Sequence, residues 1–141
     1  ELSGIKNLKV ETDTLTVKMK TGPDIKNITH DLQQIVRSST VQTGTVTVFI
    51  LGSTGSVTTI GESGVVSDLK RAITSLAPPE MNYAHEEAGM AAMVTVSSAA
   101  LLGPSMTAPI RNGKILLGTW QQVVVINHDN CPRTRKIEVT I

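Results

Sequence analysis

Several short stretches carry residues that could do chemistry. Ser53-Thr54-Gly55-Ser56 sets three hydroxyls around a glycine. Such a loop can offer backbone N–H groups and hydroxyls to a phosphate, although no lysine follows at the spacing a P-loop requires. The alternative is an ordinary turn between strands, where glycine supplies the unusual φ. Arg133 and Arg135 stand two apart, which on a strand sends both to one face. There they can clamp an anion, or form a solvated or inter-subunit face.

The histidines are His30, His85 and His128, widely separated in the chain. A catalytic metal commonly needs three protein ligands that converge. His85 has Glu86 and Glu87 beside it, with Glu62 a candidate partner in space. His30 falls in an expected helix and His128 in an expected turn. This supply favours a chain without a bound metal or other cofactor. Cys131 precedes Pro132 and shows no sign of an activated nucleophile. No Ser/His/Asp order can be argued. Trp120 can line a ligand pocket, but an indole hides enough area that core packing or burial against another subunit is the stronger expectation.

The elements that must position these groups are legible in the pattern of apolar residues. Leu15, Val17 and Met19 alternate with polar neighbours, the period of a half-buried strand. Gly22-Pro23-Asp24 is a turn. Ile28, Leu32, Ile35 and Val36 predict a helix from about Thr29 to Ser38, with Thr29 a possible cap and Asp31 suited to its first turn. Residues 44–51 and 56–60 read as strands. Val65, Leu69, Ile73 and Leu76 predict a second helix, opened by Ser63 and stopped by Pro78-Pro79. Met90 to Leu102 predicts a third, ended by Gly103-Pro104. Arg111-Asn112-Gly113-Lys114 between apolar runs is a strong hairpin signal, because Asn and Gly tolerate positive φ. Trp120 is expected within the strand region that follows. Val123, Val124, Val125 and Ile126 read as a strand buried on both faces. Residues 135–141 close the chain as an alternating strand. The sum is a single α+β domain, a largely antiparallel sheet with helices packed on it.

Composition narrows the partners. The 141 residues carry a net charge of +1, which argues against general binding to nucleic acid or anionic membranes. Phe49, Tyr83 and Trp120 are the chain's aromatics, too few for base-stacking platforms. One cysteine excludes an internal disulfide and suits a reducing, cytoplasmic setting; no targeting signal is visible at the start of the sequence. Residues 88–110 hold no charge, but Gly89, Gly103, Pro104 and Pro109 break them up, so no membrane span is expected.

At LLGPS (101–105 region), LGTWQQVVV, DNCPRTRKIEV, residues 46–68 and the Tyr83-Ala84-His85 loop, the chain resembles the YjbQ-like family. The resemblance implies an α+β subunit that forms a homotrimer, a pocket that often holds zinc or another divalent metal through histidines, and a thiamine-phosphate-synthase activity. On that resemblance, His85, Ser53 and Thr54 are the candidate catalytic residues. Ser53, Thr54, Ser56, Arg133 and Arg135 are the candidate phosphate-binding residues, and Trp120-Gln121 matches a family pair. The family's further metal-binding histidines would fall near positions 94 and 96; this chain has Val94 and Val96 there, with Ala92 in place of an asparagine. No metal ligand is therefore assigned.

That substitution makes the third helix unusual. A surface helix normally carries charge on its outer face, and Met90 to Leu102 carries none. A small, apolar helix in a short chain is expected to meet another chain, with Met90, Met93, Val94, Val96, Ser97 and Ala100 as the contact residues. Replacing a polar, ligand-bearing segment by an apolar one is what interface engineering for larger symmetric self-assembly would produce; a natural member that lost its metal would look the same. Two functions follow: a trimeric scaffold using this helix for assembly, or a metal-dependent, thiamine-phosphate-synthase-like enzyme.

Overall fold

The computed structural model describes residues 8–61, 65–76 and 90–141, with backbone alone for 90–94. In chain order the elements are β1 (Thr12–Met19), β2 (Asp24–Asn27), α1 (Thr29–Ser38), β3 (Thr43–Ile50), β4 (Gly55–Ile60), α2 (Val66–Leu76), α3 (Met90–Leu102), β5 (Ser105–Arg111), β6 (Lys114–Ile115), β7 (Gln122–Asn127) and β8 (Arg133–Thr140). The class is α+β, as expected. The single sheet anticipated from the sequence is in fact two, ordered β1-β8-β3-β5-β6 and β2-β7-β4. Every pairing is antiparallel.

This split explains the unbroken apolar run of β7. Val123 and Val125 point into the main core, among Met19, Leu32, Val36, Val46, Val48, Ile50, Ile137 and Val139. Val124 and Ile126 point the other way, onto Ile73 of α2 with Leu102 of α3 packed alongside. β7 is thus the middle strand of a middle layer, covered on both faces, and every second side chain need not be polar. In β3 and β8, with one face outward, burial alternates instead.

The turn at Asn112-Gly113 has φ of 53° and 71°, the doubly left-handed turn that matches the twist of a hairpin. Gly103, at φ 83°, ends α3, and its N–H donates to the Ala99 carbonyl at 2.9 Å. α1 occupies Thr29–Ser38, the range its apolar spacing predicts.

Other expectations need correction. Thr29 does not cap α1: its hydroxyl accepts from the Val123 N–H at 2.8 Å, tying the helix to β7 instead. The chain from Gly22 is more than a turn, because β2 adds four residues to the edge of the smaller sheet. Trp120 lies in a turn before β7 rather than in a strand, and 65 % of it is exposed within the single chain, so core packing is excluded. The chain reverses through Gly118 to Gln121, where the Gln121 N–H donates to the Gly118 carbonyl at 3.0 Å, and this points the indole outward. Ser63 and Glu62 lie outside the described residues. Among the described residues, no helix is long and apolar enough to cross a membrane.

Candidate functional site

β7 does not end in a solvated loop. Its last residue, Asn127, and the two that follow, His128 and Asp129, are all buried. Register brings their partners to them. Gly55 pairs with Asn127 and Ser56 with Ile126, so Thr54 arrives beside His128, whose N–H donates to the Thr54 carbonyl at 2.8 Å. On the opposite side of β7, the Gly22 N–H donates to the Asp129 carbonyl at 2.7 Å. A Cβ at Gly22 would stand 2.3 Å from the Asn127 carbonyl oxygen, so this approach needs glycine.

Asn127 is the hub. Its Oδ1 accepts from Arg135 Nη2 at 2.7 Å and from the Asp129 N–H at 3.2 Å. Its amide nitrogen donates to the carbonyls of Lys20 (2.7 Å) and Cys131 (3.2 Å). Arg135 Nη2 also donates to Thr54 Oγ1. Thr54 Oγ1 donates in turn to Asp129 Oδ2 at 3.1 Å, and Arg133 Nε donates to the same oxygen at 2.8 Å. Two guanidinium groups and one carboxylate leave the cluster one positive charge in excess.

Below it, His128 Nε2 and Ser56 Oγ lie 2.8 Å apart. Burial first, and then the charge of Arg135, push His128 down to about 4, so the ring is neutral at physiological pH. Burial alone would raise the Asp129 carboxyl. Hydrogen bonds from Arg133, Thr54 and the Asn130 N–H, together with the Arg133 charge, outweigh it and hold the group below the usual carboxylate range.

The structure brings part of the expected site together. Thr54, Arg133 and Arg135 share one network. Arg133 remains half exposed, but Arg135 is only 6 % exposed within the chain, so it does not form a solvated face. Ser53 sits on the exposed loop beside them. Ser56 is completely buried, and its hydroxyl also donates to the Ala99 carbonyl at 3.3 Å. It therefore joins β4 to α3 and offers nothing to a surface ligand, and the Ser56–His128 pair is no exposed nucleophile and base. His30 is exposed on α1 as expected. His85 lies outside the described residues, as do the side chains of Met90, Met93 and Val94.

His128 is the clear departure from the expected turn residue, and Asn127 and Asp129 were not anticipated at all. One signal was present: Asn-His-Asp directly continues a strand buried on both faces, and polar groups there must find partners. As for a resident metal, the described residues hold no group of three or more His, Cys, Asp or Glu able to take one. Asp129 already accepts from Thr54, Arg133 and the Asn130 N–H. These residues do not fit a zinc site.

With this geometry in place, likeness to other proteins is informative. The pattern of the UPF0047 protein YjbQ-like family matches residues 13–141. The chain belongs to the YjbQ family. A UPF0047 protein of Methanothermobacter thermautotrophicus is 30 % identical over 135 residues, covering 95 % of this chain and 93 % of that protein. One of Archaeoglobus fulgidus is 32 % identical over 126 residues, covering 89 % and 96 %. Among solved structures, a YbjQ-like protein of unknown function from Sulfolobus solfataricus P2 superimposes with a TM-score of 0.87 at 27 % identity, covering 94 % of this chain and 96 % of that one. An uncharacterized conserved YjbQ/UPF0047 protein from Clostridium acetobutylicum gives 0.81 at 28 % identity, covering 90 % and 97 %. These YjbQ relatives establish family and fold.

Proposed function

We propose that the chain is a self-assembling YjbQ subunit, a homotrimer in which the outward face of α3 forms a protein–protein contact. The observation that carries the reading is the two-sidedness of that helix. Thr95, Ser98 and Ala99 are buried toward the subunit. On the other side Val96 is 38 % and Leu101 61 % exposed, with Ala100 exposed beside them and no charge anywhere on the helix. Isolated exposed apolar residues are ordinary, but an uncharged helix face is not. Exposed Trp120 adds a large apolar side chain of the kind enriched in interfaces. Ser97 is half-buried on the same helix. The single cysteine suits residence in a reducing cytoplasm.

The test is a mass in solution by light scattering. A mass of three chains supports the trimer and removes the larger assembly through α3. A higher multiple of three supports both. A mass of one chain overturns the reading. The competing function, a metal-dependent enzyme resembling thiamine-phosphate synthase, is tested separately by metal analysis and a synthase assay. Stoichiometric, tightly held zinc would favour it.

A further inference from the structure

We propose that the gap between Lys9 and Thr45, in line with β8, is a docking slot for an extended peptide that carries a carboxylate side chain at its centre. The proposal goes beyond assembly and stands without it.

The slot follows from unequal strand lengths in the larger sheet. β8 lies between β1 and β3. Its pairing with β3 stops at Thr140, opposite Thr47. On its other side the last bonds are at Ile141, which exchanges two backbone bonds with Glu11 at 2.8 and 3.1 Å. Both neighbours run on, as residues 8–10 and as Thr43 to Thr45, and together they line one cavity of about 600 Å³. Strands on either side of a third stand about 9.5 Å apart, so the opening is one strand wide.

Both walls present unpaired backbone. In an antiparallel ladder, alternate residues turn their N–H and carbonyl to the same edge. Glu11 faces β8, and so does Lys9. On β3, the Leu51 N–H donates to the Lys136 carbonyl at 3.0 Å, which sets Thr47 and then Thr45 toward the line of β8. The other edge of β3 agrees. Thr45 lies opposite Pro109, which has no N–H, and the Pro109 carbonyl accepts from the Leu116 N–H on the far side. A peptide strand entering here pairs with two walls at once, where an ordinary sheet edge offers one. The walls are already in place, which lowers the ordering cost of binding.

Register sets the side chains. Continuing the β3 pairing, three successive peptide residues stand opposite Thr45, Gly44 and Thr43. Continuing from Glu11 and Ile141, the same three meet Val10, Lys9 and Leu8 across the slot. The first and third face outward beside the exposed apolar side chains of Val10 and Leu8, and suit valine or threonine. The central residue lies between Lys9 and a glycine. Lys9 is the one charged side chain among the described residues that line the slot, so a carboxylate at this position complements it.

The experiment is a titration of the full, ¹⁵N-labelled chain at pH 7 with the peptide Val-Glu-Val-Thr-amide, followed by amide NMR. The Lys9 and Thr45 amide signals should shift saturably, and hydrogen exchange at both should slow more than about fivefold at saturation. Val-Lys-Val-Thr-amide should bind about two- to fivefold more weakly, the scale of an exposed charge pair. Lys9 is exposed, so Lys9→Glu should leave the fold intact and reverse the preference between the two peptides. Thr45→Pro, which removes one N–H from the wall, should abolish binding; if it unfolds the chain, the reversal by Lys9→Glu still decides. Four results would each overturn the proposal. They are no saturable shift at Lys9 and Thr45, shifts centred on the open edge of β1, a preference that survives Lys9→Glu, and slow exchange at both amides before peptide is added, which would mean that a second copy of the chain fills the slot.

Discussion

His128 Nε2 stands 2.8 Å from Ser56 Oγ, joining the end of β7 to the start of β4 inside the subunit. Through the Ser56 bond to the Ala99 carbonyl the link continues into α3. One polar contact thus ties the smaller sheet to the helix that covers it. Thr54, two residues before Ser56, carries the network on to Asp129 and the arginines. Local stability and the candidate site therefore depend on the same few side chains.

The first consequence is a pH dependence. His128 falls from 6.5 to about 4 on folding, through burial and the Arg135 charge. Below 6.5 the unfolded chain binds a proton that the folded chain refuses. Its stabilising contribution is complete above pH 6.5 and is lost as pH falls toward 4, on the order of 3 kcal/mol in total. Asp129 acts lower: its depressed pKa contributes stability that fades only as pH falls below the ordinary carboxylate value. Urea unfolding at a series of pH values should show the His128 loss between 6.5 and 4, and His128→Gln should flatten that window. An equally steep profile in the variant would assign the titration elsewhere.

Ser56→Ala separates the serine from the histidine. It leaves His128 Nε2 buried without a partner, and an unsatisfied buried group costs about 1–3 kcal/mol. The expected urea midpoint is lower, with an unchanged slope. A variant as stable as the parent would mean that His128 finds another partner.

Gly52→Ala probes the loop over Arg135. The residue sits at φ 112°, where side chains are strained, and its new Cβ would meet Arg135 Nη1. Strain of this kind costs about 1–3 kcal/mol, and displacing the guanidinium adds to it. Gly61→Ala, with open space around its Cβ position, is the matched control and should change stability by no more than about 0.5 kcal/mol.

How much of this was legible in the sequence varies with the kind of signal. The range of α1, the Asn112-Gly113 hairpin and the double burial of β7 follow from local periodicity and turn chemistry, and all appear as expected. β2 was hidden because four residues after a Gly-Pro turn carry too short a pattern; only pairing with β7 makes Asp24–Asn27 a strand. Trp120 misled because large aromatics are usually covered, whereas the turn at Gly118 holds it outward. At the site, Thr54, Arg133 and Arg135 were found from residue type and spacing. Asn127, His128 and Asp129 were passed over because a run of small polar residues resembles a solvated turn. Their burial depends on Gly22, about a hundred residues earlier, closing over them, and no local window contains that information.

The assembly reading makes the sharpest separation between fold and function. Leu101 is 61 % exposed on the outward side of α3, so Leu101→Glu removes little core packing and should change subunit stability by no more than about 0.5 kcal/mol. If α3 joins subunits, the same change buries a carboxylate in an apolar contact, where an unpaired charge is strongly unfavourable. The expected result is an unchanged circular dichroism spectrum and urea midpoint with a reduced mass by light scattering. Thr16→Glu, on the exposed face of β1, supplies the control and should leave both unchanged. A Leu101→Glu protein that keeps its mass would show that this face meets no other chain. One that loses its secondary structure would show that α3 serves the interior of its own subunit.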